Sequence, residues 1–104
     1  MEIVFFNDRV YDFLFSLEPK LHARVIKALG LLETYGNEIR YPHTKQVARG
    51  IFELRVVGDQ HLRVFFVFHA SKAVVLHAFI KKTKKIPKRE IVYAQSAHSL
   101  LQER

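Results

Sequence analysis

From Gly50 to Ile80 the apolar residues recur at every second position, a period that a β-strand satisfies and a helix does not. In residues 51–57, Phe52, Leu54 and Val56 share one parity, and Glu53 and Arg55 take the other. In residues 61–69 the set Leu62, Val64, Phe66 and Phe68 is wholly apolar, while the alternate set includes His61, Arg63, Phe65 and His69. In residues 73–80 the expected core parity is Val74, Leu76, Ala78 and Ile80, which leaves Val75, His77, Phe79 and Lys81 opposite. Gly58-Asp59 supplies one hairpin turn, and Ala70 to Lys72 holds a second. Three strands joined so tightly predict an antiparallel meander with one face given to a core.

Upstream, the pattern is helical. Glu2 to Phe6 reads as a short strand, and Asn7 and Asp8 can cap a helix that carries Val10, Phe13, Leu14 and Leu17. Glu18-Pro19 ends it and suits the first turn of a second helix, with Leu21, Val25, Ala28, Leu29 and Leu32 on one face and Tyr35-Gly36 at its end. Gly30 inside that helix costs about 1 kcal/mol against alanine, so a close approach to the sheet is expected there. Residues 37–49 show no period and read as an irregular connection whose Arg40, His43, Lys45 and Arg49 extend a basic surface. After Pro87, Ile91, Ala94, Ala97 or His98, and Leu101 return to helical spacing. The expectation is one α+β domain over residues 1–104, ordered β-α-α-β-β-β-α. Its helical hairpin packs on a small, mainly antiparallel four-stranded sheet, with the first strand at an edge.

Six of the cations lie between Lys81 and Arg89 (Lys81, Lys82, Lys84, Lys85, Lys88 and Arg89), against a formal net charge of +7 for the whole chain. The charge is therefore placed, not spread, and a concentrated basic run suits a polyanion. Nearly half the residues are apolar, nine of them Phe, too many for a disordered basic tail. The absence of cysteine excludes disulfides and thiolate chemistry and fits a reducing cytoplasm. A cytoplasmic location is expected, with no secretion leader and no membrane span.

If the strands pair in sequence order, the face opposite the helical hairpin gathers Arg55, Arg63, His77 and Lys81 with Phe65 and Phe79. Cations there would hold phosphates and an aromatic would take an unstacked base, which points to single-stranded RNA. The pattern holds no glycine-rich phosphate loop, nucleophile elbow or helical metal motif, and the few acids of the strand region argue against two-metal chemistry. RNA cleavage here calls for no metal and no cofactor.

The strings Gly50-Ile-Phe-Glu-Leu-Arg55, Leu62-Arg-Val-Phe-Phe66 and Leu76-His-Ala-Phe-Ile-Lys-Lys-Thr-Lys-Lys-Ile-Pro87, followed by Ala94, resemble the RelE/ParE toxin superfamily of type II toxin–antitoxin systems, in its HigB-like, phage-related branch. The resemblance implies a RelE-like fold and a toxin that enters the ribosome and cleaves translated mRNA by 2′-hydroxyl attack. It also implies a cognate antitoxin of helix-turn-helix type that neutralises the toxin, as a toxin–antitoxin hetero-oligomer. By position it gives Arg63 the scissile phosphate and Lys81 or Lys82 the basic strand-end place, with Arg55 and Lys84 as weaker transfers. A lysine crowded by other cations, or His77, is the expected base. Lys84, Lys85, Lys88, Arg89, Phe79 and Tyr93 are expected to bind RNA or ribosome; Tyr93 is the nearest counterpart of a base-stacking tyrosine. The same superfamily includes ParE-like inhibitors of DNA gyrase, and a noncatalytic RNA-binding module is a third reading.

Overall fold

The computed structural model describes residues 1–58 and 61–104. In chain order the elements are β1 (Ile3–Phe5), α1 (Asp8–Phe15), α2 (Pro19–Tyr35), β2 (Thr44–Ala48), β3 (Ile51–Arg55), β4 (Leu62–His69), β5 (Lys72–Ile80) and α3 (Lys88–Gln102). The five strands form one sheet in the order β1-β5-β4-β3-β2, antiparallel except for β1, which lies parallel to β5 at the edge. The helical hairpin covers one face and α3 the other, and each face has its own apolar cluster.

Local chemistry sets the helix starts. The Asn7 side chain accepts the Val10 N–H at 3.0 Å and caps α1. The Glu18 carboxylate accepts the N–H groups of Lys20 and Leu21, and Pro19 fills a position whose missing donor costs nothing. Val10 and Leu14 of α1 join Val25, Ala28, Leu29 and Leu32 of α2, against Leu54, Leu62, Val64 and Phe66 from the sheet. Ala94, Ala97 and Leu101 of α3 cover Ile51, Phe65, Val67, Val74, Leu76 and Phe79 on the other face.

Three expectations need correction. The sheet has five strands, because Thr44–Ala48 pairs with β3 where an irregular connection was expected. The register between β2 and β3 shifts between Gln46 and Ala48, and such a bulge breaks the alternation by which a strand is recognised. On β5, Val74 and Leu76 face α3 while Ala73 and Val75 face the hairpin, the reverse of the predicted parity. The cause is again a bulge. Phe65 pairs with His77 but Phe66 pairs with Val75, so Leu76 is an extra residue and the parity changes beyond it. Finally, a Cβ built on Gly30 meets nothing within 4 Å, so no close approach compensates for the glycine.

The two-residue turn between β4 and β5 has both Ala70 and Ser71 at positive φ, as the tightest hairpin turns require. Gly58 has φ +88°, and its carbonyl accepts from Arg24 of α2 at 2.7 Å. The rest of the expected Gly58-Asp59 turn lies outside the described residues.

Candidate nucleic-acid interface

Arg63 stands on the central strand β4, on the face away from the hairpin, directly across from Arg55 on β3 and Phe79 on β5. Its Nε meets Glu53 Oε1 at 3.2 Å, and one Nη donates to the Leu62 carbonyl at 3.2 Å. Glu53 thus pairs across strands with Arg63. Arg55 instead lies over the Tyr41 ring at 5.3 Å.

Two clefts meet at Arg63. One is lined by Pro42, His43, Glu53, Arg55, Gly58 and Arg63. The other is lined by His61, Arg63, Lys81, Lys82, Thr83 and Lys84, where the basic run leaves the sheet. The Lys81 N–H donates to the His61 carbonyl at 2.6 Å, which carries the β4–β5 pairing one residue past the strand end and fixes where the run begins. Lys81 is half-buried; Lys82, Lys84 and Lys85 are exposed, and Thr83 Oγ1 donates to the Lys85 carbonyl at 2.6 Å. Lys88 and Arg89 are exposed in the first turn of α3.

The aromatic and histidine candidates lie elsewhere. Phe79 is only 7% exposed and packs under α3 with its ring 5.3 Å from Phe65, so it offers no face for a base. α3 had to bury its apolar stripe on this side of the sheet, and Phe79 lies beneath it. The His77 ring is stacked on Phe79 at 5.3 Å and packed against Tyr93 at 4.5 Å, and its Nε2 is 3.2 Å from Glu90 Oε1. Because a carboxylate only accepts, that nitrogen carries the proton when His77 is neutral. Burial holds its pKa below the ordinary 6.5, against the opposing pull of Glu90. The Phe65–Phe79 contact crosses the diagonal of the sheet that would join His77 to Arg63. His77 and Tyr93 line a third cleft with Arg9, Phe13, Phe79 and Lys82, and the Arg9 guanidinium sits 5.4 Å from the Tyr93 ring centre. The structure thus brings Arg55, Arg63, Lys81, Lys82 and Lys84 to the rims of two adjoining clefts, buries Phe79 beside Arg63, and places His77 and Tyr93 in a third cleft that shares Lys82.

A family model described as Phage derived protein Gp49-like (DUF891) matches residues 12–98, which include both clefts and the whole basic run. The chain belongs to that family. The Gp49-like family is associated with the toxins of toxin–antitoxin systems. A search of curated proteins gave no match.

In this Gp49-like chain, sequence reasoning passed over Glu53 as a site residue, and treated His43 only as one basic residue of a loop. Tyr41, 74% exposed beside Arg55, was not singled out. The signal for Glu53 was available: it shares the parity of Arg55 and Arg63 and is the one acid on that face of residues 51–57. Tyr41 and His43 carried none, since their places depend on a strand that the alternation test does not detect. Among the described residues no helix is long and apolar enough to cross a membrane.

Proposed function

We propose that this Gp49-like protein is the toxin of a type II toxin–antitoxin system, of the RelE/HigB kind, and that it inhibits translation by cutting mRNA on the ribosome. The observation that carries the reading is the position of Arg63, at the junction of two clefts whose rims supply Arg55, Lys81, Lys82 and Lys84. An arginine fixed between cationic rims suits a phosphate in a strand that runs through both clefts.

In the proposed reaction the ribose 2′-oxygen bonds to the adjacent phosphorus and the bond from phosphorus to the 5′-oxygen breaks. The products are a cyclic phosphate and a free 5′-hydroxyl. Arg63 stabilises the charge that builds on the phosphorane oxygens. His43, in the Arg63 cleft, takes the 2′-hydroxyl proton, a role for which histidine is suited near neutral pH. The 5′-oxygen leaves toward Lys81 and Lys82 and takes a proton from solvent. Tyr41, exposed under Arg55, provides the stacking face that Phe79, buried under α3, does not. Lys85, Lys88 and Arg89 extend the cationic track toward ribosomal RNA, and a cognate antitoxin of helix-turn-helix type covers it in a hetero-oligomer.

The test maps the 5′ ends of cellular mRNA shortly after induction of the wild-type chain and of Arg63→Ala. New ends within translated frames, lost in the variant, are expected. Growth arrest without new ends would overturn the nuclease reading in favour of a target such as gyrase, and no arrest would favour a binding module.

A further inference from the structure

Glu53 is a buried acid on a cationic face. It is 6% exposed, it lines the Arg63 cleft, and the reaction above gives it no part. Burying a carboxylate costs several kcal/mol of hydration, and an apolar residue at such a position is often the more stable choice. An apolar residue would also continue the packing of Ile51 and Phe65, which surround the position on this face. Packing alone does not account for an acid here.

Its choice of partner is informative. Directly across from Glu53 stand Lys45 on β2 and Phe65 on β4. The carboxylate nevertheless reaches diagonally along β4 to Arg63, and it meets Nε, the guanidinium nitrogen next to the side-chain stem. The Leu62 carbonyl takes one Nη of the same group. Two acceptors on different sides of a planar guanidinium fix both its position and its plane. Lysine, a rotating point charge, cannot be held in this way.

We infer that Glu53 is a positioning residue: it holds the Arg63 guanidinium by Nε so that the group meets the scissile phosphate in one fixed plane. The inference rests on the ribonuclease reading of the Arg63 cleft. It explains why a buried acid is retained among cations, since a loose arginine would lose the alignment on which transition-state stabilisation depends.

The test uses the intact chain with translating ribosomes and a defined mRNA, comparing Glu53→Gln, Arg63→Ala, the double variant and Arg63→Lys. Glu53→Gln keeps the shape of the side chain and removes its charge. It is expected to lower kcat roughly 10- to 100-fold, with KM nearly unchanged, and to add nothing when Arg63 is already alanine. Arg63→Lys, which retains the charge but has no Nε, is expected to be as damaged as Arg63→Ala. An undiminished kcat in Glu53→Gln, an equal further loss in the Arg63→Ala background, or near wild-type cleavage by Arg63→Lys would each overturn the inference. Solvent exchange of the Arg63 Nε–H, followed by nitrogen-15 NMR, reads the pairing without any activity. Slow exchange in the wild type and fast exchange in Glu53→Gln are expected; slow exchange in both would overturn the inference. If the wild type cuts no RNA, the ribonuclease reading fails, and the exchange measurement alone decides whether Glu53 orients Arg63.

Discussion

His77 shows how one residue's burial becomes a property of the fold. Its ring lies between Phe79 and Tyr93 with Nε2 on Glu90, and burial lowers its pKa below the 6.5 it has when exposed. Between the folded and unfolded pKa values the unfolded chain therefore binds more protons than the folded one. The sign follows: this contribution is fully present above about pH 6.5 and is lost as the pH falls toward the lowered folded value. His98 is also shifted down, by burial and by His69, and acts in the same direction. Melting temperature is expected to fall between about pH 7 and pH 5, with a smaller fall in His77→Gln, which removes the titrating group but retains a donor for Glu90. Identical slopes in the two proteins would show that His77 does not titrate with folding. The residue also marks a limit of sequence reading. Its parity with Arg63 was correct, but strand parity says nothing of what a helix far along the chain will lay over it, and α3 sets Glu90 and Tyr93 against His77.

At the scale of elements, those with a clean period were legible and those interrupted by a bulge were not. The α1 and α2 stripes, the faces of β3 and β4, and the Ala94, Ala97, Leu101 stripe of α3 lie as the spacing predicts. β2 and the first half of β5 do not, because an extra residue is a change of hydrogen bonding that leaves no mark on composition. The same limit hid His43, which lines the Arg63 cleft, and Tyr41, whose ring lies under Arg55; both precede β2, whose pairing brings this stretch alongside β3. The Arg55 N–H donates to the His43 carbonyl at 2.8 Å. Helix α3 carries a further consequence. Lys88 and Arg89 occupy its first turn, where the unpaired N–H groups already make the end positive. Two cations there oppose helix stability, which fits a surface shaped for a polyanion. Lys88→Glu is expected to stabilise the protein by about 0.3–1 kcal/mol while weakening RNA binding. Thermal melting and RNA titration of the same variant check both; a variant that melts lower, or binds RNA as tightly as the wild type, would remove this account of the first turn.

For the whole molecule, the arrangement separates two tasks. One sheet face is committed to the helical hairpin. The other is divided, with α3 over the Phe65, Leu76 and Phe79 portion and the Arg55–Arg63 end lining the two clefts. The basic run connects the sheet to α3, so Lys82 and Lys84 stay exposed while lining a cleft with Arg63. Exposed cations of this kind act through counterion release: each phosphate neutralised on a single strand adds about 0.7 to the slope of log affinity against log salt. Lys84 and Lys85 make no proton transfer in the proposed reaction, and their loss should appear in binding and not in chemistry. Lys84→Gln with Lys85→Gln is therefore expected to lower the salt slope for single-stranded RNA by about 1.4, while the cleavage rate at saturating ribosome stays close to wild type. Arg63→Ala is expected to do the reverse, with a slope reduced by at most about one phosphate and cleavage lost. A lysine pair that abolished cleavage at saturation, or an Arg63 variant that lost only affinity, would mean that the division between a positioned arginine and a diffuse cationic track is not how this surface works.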